Sequence, residues 1–177
     1  MKDRPAADFK RIYELLTAAE VEFILIGGAA ANLHGSPRFT LDVDVVYRRS
    51  EQNIQRLVDC LAPIRPYLRG APPGLPFQLD RTVFRNGLNF TLTTELGDLD
   101  LLGDVAGGGA YEEMLPFVVM KSVFGLELQC INLDKLIALK RAAGRPRDTE
   151  QIAELEAIRQ EDLGRSKIKS WKLKNGL

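Results

Sequence analysis

The chain is poor in the residues that most often announce a reactive centre. It has one histidine, two cysteines and one tryptophan among 177 residues. Cys60 and Cys130 stand in no metal-binding or redox spacing and read as reduced, buried thiols of a cytoplasmic protein. The single histidine, His34, argues against a histidine-built metal centre. Neither sign of charge is in excess. Lys and Arg number 24 and so do Asp and Glu, so no global field draws nucleic acid. No apolar run approaches the ~20 residues of a membrane span. The charged N-terminus lacks the apolar segment of a signal peptide. Internal repeats and extended low-complexity tracts are missing too. What remains is an ordinary globular composition, long enough for one domain with a real core.

The informative stretch is Phe23–Tyr47, FILIGGAAANLHGSPRFTLDVDVVY. Phe23–Ile26 is a short continuous apolar run, which predicts a buried strand. Gly27-Gly28 turns the chain, Ala29–Leu33 predicts a short helix, and Gly35 stops it. Pro37 prevents early re-entry into a helix. Leu41–Tyr47 is rich in β-branched residues and predicts a second strand. Asp42 and Asp44 lie two residues apart within it, on one face, with Cα atoms roughly 6–7 Å apart. Two like charges on one face of an apolar strand repel and resist desolvation. A cation between them removes the conflict, and carboxylate ligands favour a hard ion such as Mg²⁺ or Mn²⁺. A glycine turn opening a helix nearby offers backbone N–H groups to a phosphate. The combination points to phosphoryl or nucleotidyl transfer from a nucleoside triphosphate.

Elsewhere, Phe9, Ile12, Leu15 and Leu16 recur at helical spacing within Ala6–Glu20. Ser50 predicts the N-cap of a helix carrying Ile54, Leu57, Val58 and Leu61 on its apolar face. Ala62–Gln78 is a proline-rich, irregular loop holding Arg65, Tyr67 and Arg69; it either meets a substrate or folds on itself with Tyr67 against a proline. Thr82–Phe84 and Leu88–Thr93 predict strands joined by a hairpin at Asn86-Gly87. Leu99–Leu102 predicts another strand, with Asp100 set among leucines where a lone charge is costly without a partner or metal. Asp98 is its rival on the same face and is expected to end the preceding turn. The glycines at 107–109 suit either a ligand-contacting or a plain flexible loop. Pro116–Met120 and Val123–Ile131 predict a last strand pair, turning near Lys121-Ser122. Helices follow over Leu136–Ala143, ended by Gly144 and Pro146, and from Asp148 or Thr149 to about Ile158. Residues 165–177 form a basic tail around Trp171, open to nucleic-acid contact but more simply a solvated end.

Gly27-Gly28, His34-Gly35, Arg38, Thr40 and Asp42-x-Asp44 together resemble the signature of the nucleotidyltransferases of the DNA polymerase β superfamily. The nearest likeness is to the small bacterial branch that includes AbiEii-type toxins. The stretch from Lys140 to Asp148 resembles the basic Arg-Pro-Lys/Arg-Asp element that closes many of these proteins. Many members carry Gly-Ser where this chain has Gly27-Gly28, which leaves only backbone N–H groups for phosphate.

The resemblance implies an α+β fold: a mixed sheet with flanking helices and a C-terminal helical segment. Residues 1–132 form the core, 133–164 are helices packed on it in the same domain, and 165–177 are the tail. It implies a Mg²⁺- or Mn²⁺-dependent enzyme moving a nucleoside monophosphate from a nucleoside triphosphate such as ATP to a hydroxyl acceptor, with release of pyrophosphate. Asp42, Asp44 and Asp100 are then the metal-binding and catalytic acids. Asp100 also takes the proton of the attacking hydroxyl. Gly27, Gly28, Arg38 and Lys140 are the nucleotide-binding candidates, with Arg145 a weaker one. For Arg38, pairing with a carboxylate and reaching a phosphate stay equally open. Thr40 is expected to support Asp42, and His34 to cap its helix or bond the aspartate strand. The acceptor is RNA, a protein or a small molecule. The alternatives are a non-catalytic nucleotide-binding module, or a toxin–antitoxin component acting with a protein partner or tRNA.

Overall fold

In a computed structural model, which describes residues 6–72 and 74–174, the architecture is α+β. Helix α1 (Phe9–Ala18) is capped by Asp8, whose side chain accepts from the Arg11 amide. Its apolar stripe buries Ile12, Tyr13 and Leu16. Strand β1 (Phe23–Ile26) is buried along its whole length and runs straight into α2 (Gly27–Leu33). Strand β2 (Asp42–Tyr47) follows, then α3 (Glu51–Leu61), capped by Ser50 as the sequence predicts.

Polar side chains tie this first unit together. Asn53 on α3 is fully buried. It accepts from the Glu22 amide at 2.7 Å and donates to the carbonyls of Glu22 and Arg48 at 3.0 and 2.8 Å. One side chain thus satisfies the entry to β1 and the exit of β2.

The 62–78 segment is more ordered than its prolines suggest. A 3₁₀ turn spans Ala62–Ile64, and β3 (Tyr67–Leu68) adds a short edge strand. The Tyr67 hydroxyl donates to the Pro72 carbonyl at 2.6 Å, and its ring meets Phe77 edge-on. Tyr67 therefore closes the loop on itself.

The predicted strand at Thr82–Phe84 and its Asn86-Gly87 hairpin are overturned. Residues Arg81–Asn86 form helix α4, because Asp80 caps its start by accepting from the Val83 amide at 2.8 Å. Phe84 is fully buried, edge-on to Tyr47 and Phe90. Gly87 ends the helix in an extended conformation, and a Cβ there would lie 2.6 Å from the Phe90 ring. The glycine serves close packing and not a turn.

Strands β4 (Asn89–Thr94) and β5 (Gly97–Leu102) form a hairpin after α4. After α5 (Tyr111–Met114) come β6 (Val118–Val123) and β7 (Leu126–Ile131). Their turn lies at Phe124-Gly125, later than the predicted Lys121-Ser122. Both turn residues have positive φ (52° and 79°), as in a type I′ two-residue hairpin. Helix α6 (Leu133–Ala143) is capped by Asn132 and stopped by Gly144 in a left-handed conformation. Helix α7 (Thr149–Lys174) does not end near Ile158. It runs on through most of the predicted tail, where Gly164 costs only ~1 kcal/mol and no proline intervenes. The side chain of Trp171 lies outside the described residues, as do 175–177.

The seven strands form one mixed sheet in the order β3-β4-β5-β2-β1-β7-β6. β2 pairs antiparallel with β1 and parallel with β5. That parallel register sets Asp42 opposite Asp98 and Asp44 opposite Asp100. Val43, Val45, Leu99 and Leu101 alternate with these acids and are fully buried. Asn53→Ala is expected to cost about 2–4 kcal/mol, because it strips a buried amide and two carbonyls of their partner. Urea unfolding of the variant checks this; a loss under ~0.5 kcal/mol contradicts it.

Candidate active site

Two apolar strands in parallel register bring Asp42, Asp44, Asp98 and Asp100 to one face of the sheet. One carboxylate oxygen from each of Asp42, Asp44 and Asp100 lies within 4.8 Å of the others, and all three residues are part-buried. This spacing lets a single small cation touch all three. Burial, then Asp42, then Asp100, push the Asp44 carboxyl up to about 7, against the opposing pull of the Gly28 amide and Arg145. Asp100 is also raised, first by burial, with Arg69 pulling the other way. The donor set is all oxygen, crowded and short of positive charge, which fits a hard divalent ion.

Gly27 and Gly28 have a specific reason to be glycine. Gly27 sits at φ +65°, and a Cβ there would lie 2.1 Å from Asp44 Oδ2. A Cβ on Gly28 would lie 2.4 Å from Thr40 Oγ1. The start of α2 can abut the acid strand only without side chains, and the Gly28 amide then favours the Asp44 charge. Thr40 donates to Asp42 Oδ1 at 3.2 Å, the supporting contact expected of it.

Other candidates fall outside this cluster or have local partners. Arg38 pairs with Glu154 (2.7 Å) and Glu150 (3.2 Å) on α7, so a carboxylate pairing holds here, with acids far along the chain. Lys140 lies 3.6 Å from Asp148, bridging α6 to the turn before α7. His34 contacts the Ile131 carbonyl through Nε2 at 2.7 Å, which ties α2 to β7 and not to the aspartate strand. Burial lowers its pKa. Arg145 is exposed, yet its charge is felt at both Asp44 and Asp100. Of the glycines at 107–109, Gly107 accepts from Lys135 Nζ and Gly109 pairs with Val105, so this loop is held by its own chain.

Two residues matter more than the sequence reading allows. Asp98 does not end a turn. It lies inside β5, 5% exposed, and accepts from Thr93 Oγ1 at 2.8 Å. Its position two residues from Asp100 was the available signal. Arg69, in the sequence one of three residues of a proline-rich loop open to a substrate, inserts its guanidinium among the acids. It reaches Asp100 at 2.5 Å, Asp98 at 3.5 Å and Asp42 at 3.6 Å. No local pattern marks it, because β3 reaches the acids only through the sheet.

Beside the acids, Thr40 also lines a groove of about 360 Å³ walled by Phe9, Tyr13, Leu33, Phe39 and Phe124. Phe39 and Phe124 are 79% and 54% exposed, unusual for bare aromatic surface.

No protein-family model and no curated protein matches the chain. Solved structures do. The lincosamide antibiotic adenylyltransferase LnuA, with lincomycin bound, is similar at TM-score 0.59 and 16% identity, over 87% of this chain and 99% of that one. A putative nucleotidyltransferase from Thermotoga maritima is similar at TM-score 0.51 and 13% identity, over 82% and 88%. The chain therefore has the nucleotidyltransferase fold.

Proposed function

We propose that the protein is a Mg²⁺-dependent nucleotidyltransferase that moves a nucleoside monophosphate from a nucleoside triphosphate to a hydroxyl acceptor. The observation that carries this is the cluster of Asp42, Asp44 and Asp100 oxygens within 4.8 Å, on a nucleotidyltransferase fold. In the reaction the acceptor oxygen bonds to the α-phosphorus, the bond to the β-phosphate bridge breaks, and pyrophosphate leaves. Asp42, Asp44 and Asp100 would hold the metal. When bound there, Mg²⁺ would supply positive charge for the phosphates and for the attacking and leaving oxygens. Asp100, raised by burial, accepts the proton of the acceptor hydroxyl. Gly27 and Gly28 offer bare backbone beside Asp44 for the β- and γ-phosphates. Arg38 and Lys140 are engaged with Glu150, Glu154 and Asp148, so either would have to exchange partners to meet the triphosphate. Arg145 is a further candidate phosphate cation, and its charge pulls the Asp44 and Asp100 carboxyls down against burial.

The acceptor we favour is a small molecule with a hydroxyl on an apolar body. The aromatic groove that shares Thr40 with the acid site suits such a ligand, and the zero net charge gives no broad pull on nucleic acid. The length match to LnuA, whose structure holds lincomycin, is consistent with it.

Calorimetric titration of each nucleoside triphosphate with Mg²⁺ tests the reading. Binding is expected for at least one of them, and it should fall at least about 100-fold in Asp42→Ala/Asp44→Ala, which loses two of the metal's carboxylates. Full binding by the double variant would remove the proposal. A stability test follows from the charge balance. The folded-state pKa of Asp44 is raised from 3.8 to about 7. Below the lower value the carboxyl is protonated in both states and costs nothing. Between the two the unfolded chain sheds the proton first, so stability falls as pH rises. Above about 7 the penalty is complete. Metal-free Asp44→Asn should therefore gain little at about pH 4 and on the order of a few kcal/mol at about pH 8. Mg²⁺ should raise the melting temperature of wild type at the higher pH far more than that of the variant. Thermal melts in chelator and in Mg²⁺ read both.

A further inference from the structure

The Arg69 side chain spans three of the four acids and touches the cluster from one side only. Its backbone amide donates to the Thr91 carbonyl at 2.9 Å, which continues the β3–β4 pairing one residue further. Nη2 donates to the Leu92 carbonyl at 3.0 Å and to Asp100 Oδ1 at 2.5 Å. Nη1 lies 3.6 Å from Asp42 Oδ2, and Nε 3.5 Å from Asp98 Oδ2. The side chain is 19% exposed. A guanidinium cannot shed its charge, and this one is held at its backbone and at its tip. Asp44, by contrast, abuts the bare backbone of Gly27 on the other side of the cluster, where α2 follows β1. A divalent ion held by Asp42, Asp44 and Asp100 would share two of its three ligands with Arg69. A second ion on the Asp98 and Asp100 side would need the place the guanidinium fills.

We propose that Arg69 is the resident counter-cation of the acid site: it positions Asp42 and Asp100, competes with the divalent ion for them, and limits the nucleotide-free protein to one ion. This rests on the metal-binding reading above and adds to it a residue and a stoichiometry. Arg69 acts through the carboxylates, so it is a positioning residue.

Mn²⁺ titration followed by electron paramagnetic resonance, without nucleotide, tests this on wild type, Arg69→Gln and Arg69→Lys. Wild type should bind one Mn²⁺ per chain. Arg69→Gln should bind its first Mn²⁺ about tenfold more tightly, since a positive charge within a few ångströms is gone, and should take up a second. Arg69→Lys keeps the charge and should restore the wild-type stoichiometry. A residue that merely holds the loop in place predicts the reverse, a weaker site in Arg69→Gln. Unchanged or weakened Mn²⁺ affinity in Arg69→Gln, with wild type still binding, overturns the proposal and leaves the metal site standing. No Mn²⁺ binding by either protein overturns the metal reading itself, and this proposal with it. Thermal melts guard against poor folding of the variant. The Mn²⁺-induced rise in melting temperature should be larger in Arg69→Gln than in wild type, and a smaller rise also counts against the proposal.

Discussion

Repulsion among carboxylates that the sheet cannot separate is the constraint around which this molecule is arranged. β2 and β5 are neighbours in parallel register, so Asp42, Asp44, Asp98 and Asp100 share one face. On the other face Val43, Val45, Leu99 and Leu101 are fully buried. The strands cannot slip or part to relieve the charges without exposing that core, and a one-residue slip would exchange the faces. Each acid therefore has a device beside it. Asp42 has Thr40, Asp98 has Thr93, Asp100 has Arg69, and Asp44 has the Gly28 amide. Burial and the neighbouring Asp42 and Asp100 push the Asp44 carboxyl up to about 7 even so.

The surrounding elements follow from that need. The start of α2 must approach the acid strand at backbone distance, which removes side chains at positions 27 and 28. The proline-rich segment after α3 carries a two-residue edge strand that brings Arg69 to the site through β4. The segment entering β2 is anchored from the far end of the chain. Arg38 pairs with Glu150 and Glu154, and the Ser36 hydroxyl donates to Glu154. Helix α7 thus braces the acid strand even though it contributes no acid to the cluster. These exposed pairs add little energy singly, and their value lies in orientation.

Local grammar was legible where a residue's role depends on its near neighbours. The strand at Phe23–Ile26, the caps at Ser50 and Gly144, and the same-face pair Asp42 and Asp44 all follow from backbone periodicity or from a single turn's chemistry. The misreadings have the same origin. Asn86-Gly87 has hairpin chemistry, but Asp80 and the burial of Phe84 between Tyr47 and Phe90 make a helix of the residues before it. The β6–β7 turn was set by the pairing of Val118 with Ile131 and Val123 with Leu126, which moved it to Phe124-Gly125.

By itself the sequence determined the strand that carries two acids, the glycines that precede it, the third acid on a later apolar strand, and the α+β class. Those properties are written in spacing and side-chain chemistry over a few residues. Only the tertiary structure decided that β2 and β5 lie side by side in parallel, that Asp98 is buried inside β5 beside Arg69, that Arg38 faces α7, and that Arg69 is the cation among the acids. Each of these depends on which strands pair and in what register. That choice is made by the burial of whole faces across long separations in the chain, and no local window contains it.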